Sequence, residues 1–371
     1  MTGLFIQRHA ELASGFAEVA VLYLRAAPDK RQSFFIEQKD ENKVYTAIVY
    51  YGTKSAFPKF MVKWMAGFRF VMAFLKGYSF IQNNWNKPDL VHVNVLTRLG
   101  LLALYLRCFK GIKYVITEHW SRYLPITGTY KGFLRKVATR LVVKHASAVS
   151  TVSENLASAM QSHGLHNPNY LILPNVVDCE EYIPAPAESK GKVTRFMHIS
   201  CFEDRSKNIS GLLRTITKLS LHRNDFECIM VGEGVDFEKL KSLAKELELK
   251  APILQFTGLL EGEKLVEAYQ SSDFMVMFSN YENMPVVISE SFACGLPVVA
   301  TSVGGIPEYV NDTNGRLIAV GDEAALLGAI GFMLDNYSSF DPGKIRETAV
   351  AVFSKQAVAG KLKELYSFVI N

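Results

Sequence analysis

Cysteine is scarce in this chain of 371 residues: Cys108, Cys179, Cys201, Cys228 and Cys294 stand far apart, with no C-x-x-C pair. That excludes a disulfide scaffold and offers no zinc-ligand spacing, so reduced thiols in a cytosolic protein are expected. No apolar run reaches the roughly 18 residues of a membrane span, and the opening residues, MTGLFIQRHAEL, carry no signal-peptide pattern. Neither a D-x-D triplet nor a His/Cys cluster occurs, so no metal and no other cofactor is expected. Acidic residues are sparse in the first half. Residues 1–180 hold 22 Lys/Arg against 11 Asp/Glu, a net of +11, while the remainder has 19 against 25, a net of −6. Halves of opposite sign imply different partners, and the basic one suits an anionic surface. Nucleic acid is not expected, because no DNA- or RNA-binding motif accompanies the charge.

What the chain does have is alternation. Strand-length apolar runs at 19–24, 44–51, 90–95, 114–117, 148–152 and 170–173 are interleaved with helical patterns at 58–78, 98–108, 131–143 and 154–162. The pattern breaks at 183–192, IPAPAESKGK, which reads as a linker. A second series follows, with strands near 195–200, 227–231, 254–257, 274–278, 298–301 and 317–320 and helices between them. Strands alternating with helices of this length make parallel sheets. The fold class is therefore α/β, with two Rossmann-like domains, 1–182 and 193–352, facing across a cleft. A last helix, 353–371, is expected to pack back on the first domain. Ligands of such sheets bind at the carboxyl ends of the strands, so the cleft is the expected site.

Residues 281–310, YENMPVVISESFACGLPVVATSVGGIPEYV, are the most informative segment. Glu282 and Glu290 stand eight positions apart, about 12 Å of rise if both were helical. Carboxylates so placed cannot share a proton or a metal, but they can grip two ends of one elongated ligand. Glu282 ends a buried strand. Pro285 can open a helix, where its missing N–H costs nothing. The amides of Asn283, Met284 and Val286 would then face the cleft and favour an anion. An exposed pair of glutamates on a surface helix is the plain alternative.

This segment resembles the donor-binding signature of the retaining glycosyltransferases of family 4, which have the two-domain GT-B fold. Glu282, Pro285, Glu290, Ala293, Gly295, Pro297, Gly304, Gly305 and Glu308 stand at the signature's positions; Asn283 and Ser291 replace the commoner Gly and Ala. The resemblance implies that Glu282 contacts the hydroxyls of the donor sugar and Glu290 those of the ribose. It also implies that the first domain takes the acceptor and the second the nucleotide sugar. In the segment CFEDRSKN, Lys207 matches the family's diphosphate-binding lysine. The family's arginine is absent from the strand end, where Ser200 and Cys201 stand, leaving Arg205 as a second cation or as part of a solvated charge run. Gly232, in VGEG, resembles the family's turn near the base, and the 174–178 segment PNVVD resembles a structural one. His119 ends a first-half strand where the family has a histidine lining the sugar and acceptor pocket; a core histidine is the alternative. His92 and Asn94, in VHVNV, are weaker candidates, and Ser153–Glu154 reads as a helix cap.

Family members open with a strand and a glycine-bearing loop. Here Gly3, which the resemblance makes a donor-binding candidate, already stands at the loop's end, and the first strand is expected to be missing. The basic, aromatic stretch 59–78 fits a membrane-surface helix or a partly buried helix with a wet edge. The expected function is transfer of a hexose, with retention, from a UDP- or GDP-sugar to a glycan or lipid-linked acceptor in surface polysaccharide synthesis. The location implied is the cytoplasm, with or without peripheral contact with the inner face of the membrane. Two rivals remain: a nucleotide-sugar 2-epimerase, for which Glu118 is the well-placed first-half carboxylate, and a truncated, non-catalytic chain.

Overall fold

Strands that are mostly apolar along their length have little to give to water. The C-terminal half carries six strands of this kind: β8 Thr194–Ile199, β9 Phe226–Val231, β10 Leu254–Gly258, β11 Phe274–Met277, β12 Val298–Thr301 and β13 Gly315–Ile318. In the computed structural model, which describes residues 4–27, 34–52, 59–186 and 193–370, they form one parallel sheet in the order β10-β9-β8-β11-β12-β13. Every residue of β11 and β12 is buried, as a sheet covered on both faces requires. The covering helices are α6 Asp204–Lys207, α7 Ile209–Ser220, α8 Phe237–Glu246, α9 Glu263–Gln270, α10 Val286–Ala293, α11 Glu323–Asn336 and α12 Pro342–Phe353. On α7 the buried set Ile209, Leu212, Leu213, Ile216 and Leu219 follows the helical period.

The N-terminal half comprises α1 Leu4–Ala13, β1 Val19–Ala27, β2 Phe35–Glu41, β3 Val44–Gly52, α2 Lys59–Asn84, β4 Leu90–Asn94, α3 Thr97–Lys110, β5 Lys113–Glu118, α4 Phe133–His145, β6 Ala148–Thr151, α5 Glu154–Ser162 and β7 Tyr170–Ile172. Two findings depart from the sequence reading. First, β2 runs antiparallel to β3; its sequence FIEQKDE is polar and mostly exposed, so it gave no apolar run. Second, the strands of this half fall into two sheets, β1-β3-β2 and β4-β5-β6-β7. Among the described residues β1 pairs with β3 alone and β4 with β5 alone. Among the described residues α1 is the first element; Gly3 and 187–192 of the linker stretch lie outside them.

The final helix, α13 Lys355–Ile370, buries Val358, Leu362, Leu365 and Val369 against Ala13, Val115, Ala148, Leu173 and Val176. Each such aliphatic side chain contributes about 2 kcal/mol. Lys113 Nζ donates to Val369 O at 2.6 Å, and Tyr366 Oη lies 2.8 Å from His92 Nδ1. Arg346 of α12 donates to the carbonyls of Cys179, Tyr182 and Ala293, tying the end of the first half to α10.

Candidate functional site

The strand order of the C-terminal sheet reverses between β8 and β11, which are neighbours in space though not in sequence. Connections leave such a pair in opposite directions and open a crevice at the carboxyl ends. The segment after β8 carries Lys207 and the segment after β11 carries Glu282. The two segments are bound to each other. Asn280 N donates to Ser206 O at 2.8 Å, and Asn280 Nδ2 donates to Arg205 O at 3.0 Å. In that frame Lys207 Nζ donates to Glu282 Oε1 at 2.5 Å, and Ser279 Oγ donates to the same oxygen at 2.8 Å. Both side chains are mostly buried, 14% and 9% exposed. Burial would lower the Lys207 pKa, but the charge and hydrogen bond of Glu282, with Cys201 and Glu203 behind them, outweigh it and hold the amine above its usual range. Glu282 lies before the helix that carries Glu290, so the two-turn spacing expected from sequence does not measure their separation.

α10 begins at Val286, with Pro285 as its extended N-cap residue. Among the described residues the N–H groups of Met284, Val286 and Val287 donate to no protein acceptor, leaving the start of α10 able to receive an anion. Glu290, on the second turn of α10, is buried and accepts from Tyr269 Oη at 2.9 Å. Burial raises its pKa against the opposing pull of Tyr269 and the Arg8 charge. Two glycines make the close approaches possible. Gly304 has φ +57°, and a Cβ there would lie 2.2 Å from Glu282 O; Gly232 has φ +128°, and a Cβ would lie 2.0 Å from Ser200 O.

The facing wall comes from the N-terminal half. His119 Nε2 lies 3.3 Å from Asn94 Oδ1, and the ring stands 4.3 Å from Phe5 and 5.6 Å from His9. Burial, then the charges of His9 and His92, hold the His119 pKa well below its usual value, so the ring is neutral. Asn283 spans the cleft: its Nδ2 donates to His119 O at 2.9 Å and its Oδ1 accepts from Ser153 Oγ at 3.0 Å. Ser153 also caps α5 by accepting from Leu156 N. Glu308 makes a second bridge, its carboxylate accepting from Glu154 N at 2.9 Å and Asn155 N at 2.8 Å. A negative charge at that helix start is favourable.

The structure thus brings Lys207, Glu282, Asn283, Met284, Pro285, Val286, Glu290 and His119 to the cleft and its lining. Arg205 is exposed on α6, and Gly232 closes the turn after β9, its N–H donating to Gly258 O at 2.9 Å. His92 is committed elsewhere, 2.6 Å from Thr117 Oγ1 and 2.8 Å from Tyr366 Oη. Sequence reasoning missed the bridging role of Asn283, the Glu308 clamp, and Arg8, which donates to Val176 O at 2.9 Å and whose charge acts on Glu290. The G-G-x-x-E spacing was the one available signal for the clamp. Glu118 is buried and accepts the N–H groups of Leu96, His119 and Trp120, each at 3.0 Å, so its carboxylate is engaged with the backbone.

Two family profiles match the chain, "Glycosyl transferase 4-like domain" over residues 9–176 and "Glycosyl transferases group 1" over residues 183–348. The chain is 25% identical to N-acetyl-alpha-D-glucosaminyl L-malate synthase of Bacillus anthracis over 297 residues, 76% of this chain and 75% of that protein. It is 26% identical to the MMP alpha-(1→4)-mannosyltransferase of Mycolicibacterium hassiacum over 340 residues, 84% of this chain and 78% of that one. Among solved structures, sucrose-phosphate synthase from Thermosynechococcus elongatus superposes with a TM-score of 0.78 at 19% identity, covering 97% of this chain and 91% of that chain. HepE of Anabaena, solved in complex with UDP, gives 0.76 at 16% identity, covering 99% and 97%. These likenesses show the GT-B fold.

Proposed function

We propose, from the premise that the chain belongs to the glycosyl transferases of group 1, that it transfers a hexose from a UDP- or GDP-sugar, with retention, to a glycan or lipid-linked acceptor. The observation that carries this reading is the Lys207–Glu282 pair at the sheet's switch point, beside the start of α10. The donor diphosphate lies against the free amides of α10 and the Lys207 amine. Negative charge grows on the diphosphate as the glycosidic bond breaks, and a buried cation gains most from it there. Arg205 swings in as a second cation. Glu282, already engaged with Lys207 and Ser279, turns its other oxygen to the sugar hydroxyls. Glu290 takes the ribose hydroxyls, and Gly232 lets the backbone approach the base. The acceptor hydroxyl attacks from the His119 side on the face that the leaving group vacates, and the diphosphate takes its proton. No metal or other cofactor has a part in this scheme.

Support for a hexosyl donor comes from the names of the relatives, a mannosyltransferase and an N-acetylglucosaminyl synthase, and from a structural neighbour that holds UDP. The epimerase alternative loses ground because Glu118, its first-half carboxylate, is taken up by three backbone amides. The setting we infer is surface polysaccharide synthesis, lipopolysaccharide or capsule, in the cytoplasm or at the inner face of the membrane. Among the described residues no helix is long and apolar enough to cross a membrane.

Calorimetric titration against UDP-, GDP- and ADP-sugars tests the donor site. One donor is expected to bind, and Glu290→Ala to weaken it about 10- to 100-fold, the worth of hydrogen bonds to a charged group. Equal binding of every base by wild type and variant would remove Glu290 from the site.

A further inference from the structure

The loop that carries Glu282, Asn283 and Met284 follows β11 in the C-terminal half, yet it rests on the other half. Asn283 Nδ2 donates to His119 O at 2.9 Å, and Asn283 Oδ1 accepts from Ser153 Oγ at 3.0 Å. Met284 O accepts from Asn175 Nδ2 at 3.3 Å. His119, Ser153 and Asn175 stand just past β5, β6 and β7, which are neighbours in one sheet. The loop therefore lies across the carboxyl edge of that sheet. Its other side is held as closely: Asn283 O accepts from Gly305 N at 2.6 Å, and a Cβ on Gly305 would lie 2.6 Å from Ser153 Cβ.

These bonds fix the direction of each proton. The His119 carbonyl only accepts, so the amide nitrogen of Asn283 must face it and the amide oxygen must face Ser153. The single proton of the Ser153 hydroxyl goes to Asn283, while its lone pair takes Leu156 N at 3.2 Å. Leu156, Ser153, Asn283 and His119 thus form one directed chain in which each bond polarises the next. Both ends of the Asn283 amide are engaged with protein, so the side chain acts on the spacing of the cleft walls. Glycine, the commoner residue at this position, has no side chain and makes neither bond. Glu308 fastens the same seam through the amides of Glu154 and Asn155.

We infer that Asn283 is a positioning residue: it pins the donor-side loop to the His119 wall, so that the cleft holds its working width before a ligand arrives. Where a ligand had to draw the halves together, part of its binding free energy would go into closing. Apparent affinity would then fall with the fraction of chains already closed. The kinetic consequence rests on the transfer reading; the pin does not.

The test uses the full chain and two readouts. Without ligand, hydrogen exchange measured by NMR follows the amides of Glu154 and Asn155, whose acceptor is Glu308 across the cleft, and that of Leu156, whose acceptor is Ser153 in its own half. Asn283→Ala should speed exchange of the first two about 10-fold and leave Leu156 unchanged, because the seam opens while the α5 cap stays. With donor, the same variant should raise KM about 10- to 30-fold, as the loss of two hydrogen bonds implies, while kcat falls far less. Asn283→Asp should do no better than Asn283→Ala, since it keeps the shape and the Ser153 bond but sets an oxygen against His119 O. Unchanged exchange at Glu154 and Asn155 would overturn the pin, as would wild-type values in the aspartate variant. Equal acceleration at Leu156 would overturn it too, because α5 would then be loosening by itself. A wild type that binds no nucleotide sugar would sink the transfer reading alone, and the exchange result would still decide the pin.

Discussion

Lys207→Ala is expected to lower turnover about 10²- to 10³-fold, the effect of removing one preorganised group that stabilises developing negative charge. It should also cost stability. In the native protein the Lys207 amine sits 2.5 Å from Glu282 Oε1, with both side chains largely buried. Removing the cation leaves Glu282 with Ser279 alone, an unpaired buried charge worth about 3–5 kcal/mol of destabilisation. Glu282→Gln is the reciprocal variant. It keeps an acceptor for Ser279 but leaves the buried Lys207 cation without its anion, so it too should lower the thermal midpoint while turnover falls. Lys207→Ala within about twofold of wild-type kcat, well below the loss expected for such a group, would mean that the pair is structural.

Mild acid is expected to destabilise the fold well before carboxylates titrate. Burial holds His9 and His198 at a pKa of about 4 and, with the charge of His9, His92 at about 3; His119 is likewise well below its usual value. The unfolded chain binds these protons near pH 6.5 and the folded chain does not. Stability is therefore fully present above pH 6.5 and falls as pH drops toward 4. From pH 6.5 to 5.5 His9, His92 and His198 each cost about 1 kcal/mol, about 3 kcal/mol together, and His119 acts in the same direction. Glu118 and Glu290 act in the opposite sense, since burial raises both and a folded carboxyl that takes up a proton early gains stability in acid. They reduce the slope at the lower end of the range. Thermal midpoints measured from pH 8 to 5 check this, and His92→Asn should flatten the slope by one histidine's share. A midpoint unchanged between pH 7 and 5.5 would contradict it.

The C-terminal half was read from sequence almost element for element, because its strands are continuous apolar runs between turns and helices of clear period. α10 and β12 begin and end where the pattern put them. β2 was missed for the opposite reason: an exposed edge strand such as FIEQKDE buries too little to leave a period. The candidate site was legible because Glu282, Pro285 and Glu290 follow a fixed spacing. The spacing's geometric meaning was not, since a loop rather than a helix carries Glu282. The bridges from Asn283 to His119 and Ser153, and from Glu308 to α5, join residues more than 100 positions apart. Nothing local in a chain announces such a pairing.

If this cleft breaks the bond between a hexose and a nucleoside diphosphate, the full chain should release nucleoside diphosphate when offered a panel of UDP-, GDP- and ADP-hexoses. The expected result is release from one donor, with the sugar's anomeric configuration retained in the product and no epimerised nucleotide sugar. Epimerisation without release, or no turnover of any donor, would contradict it.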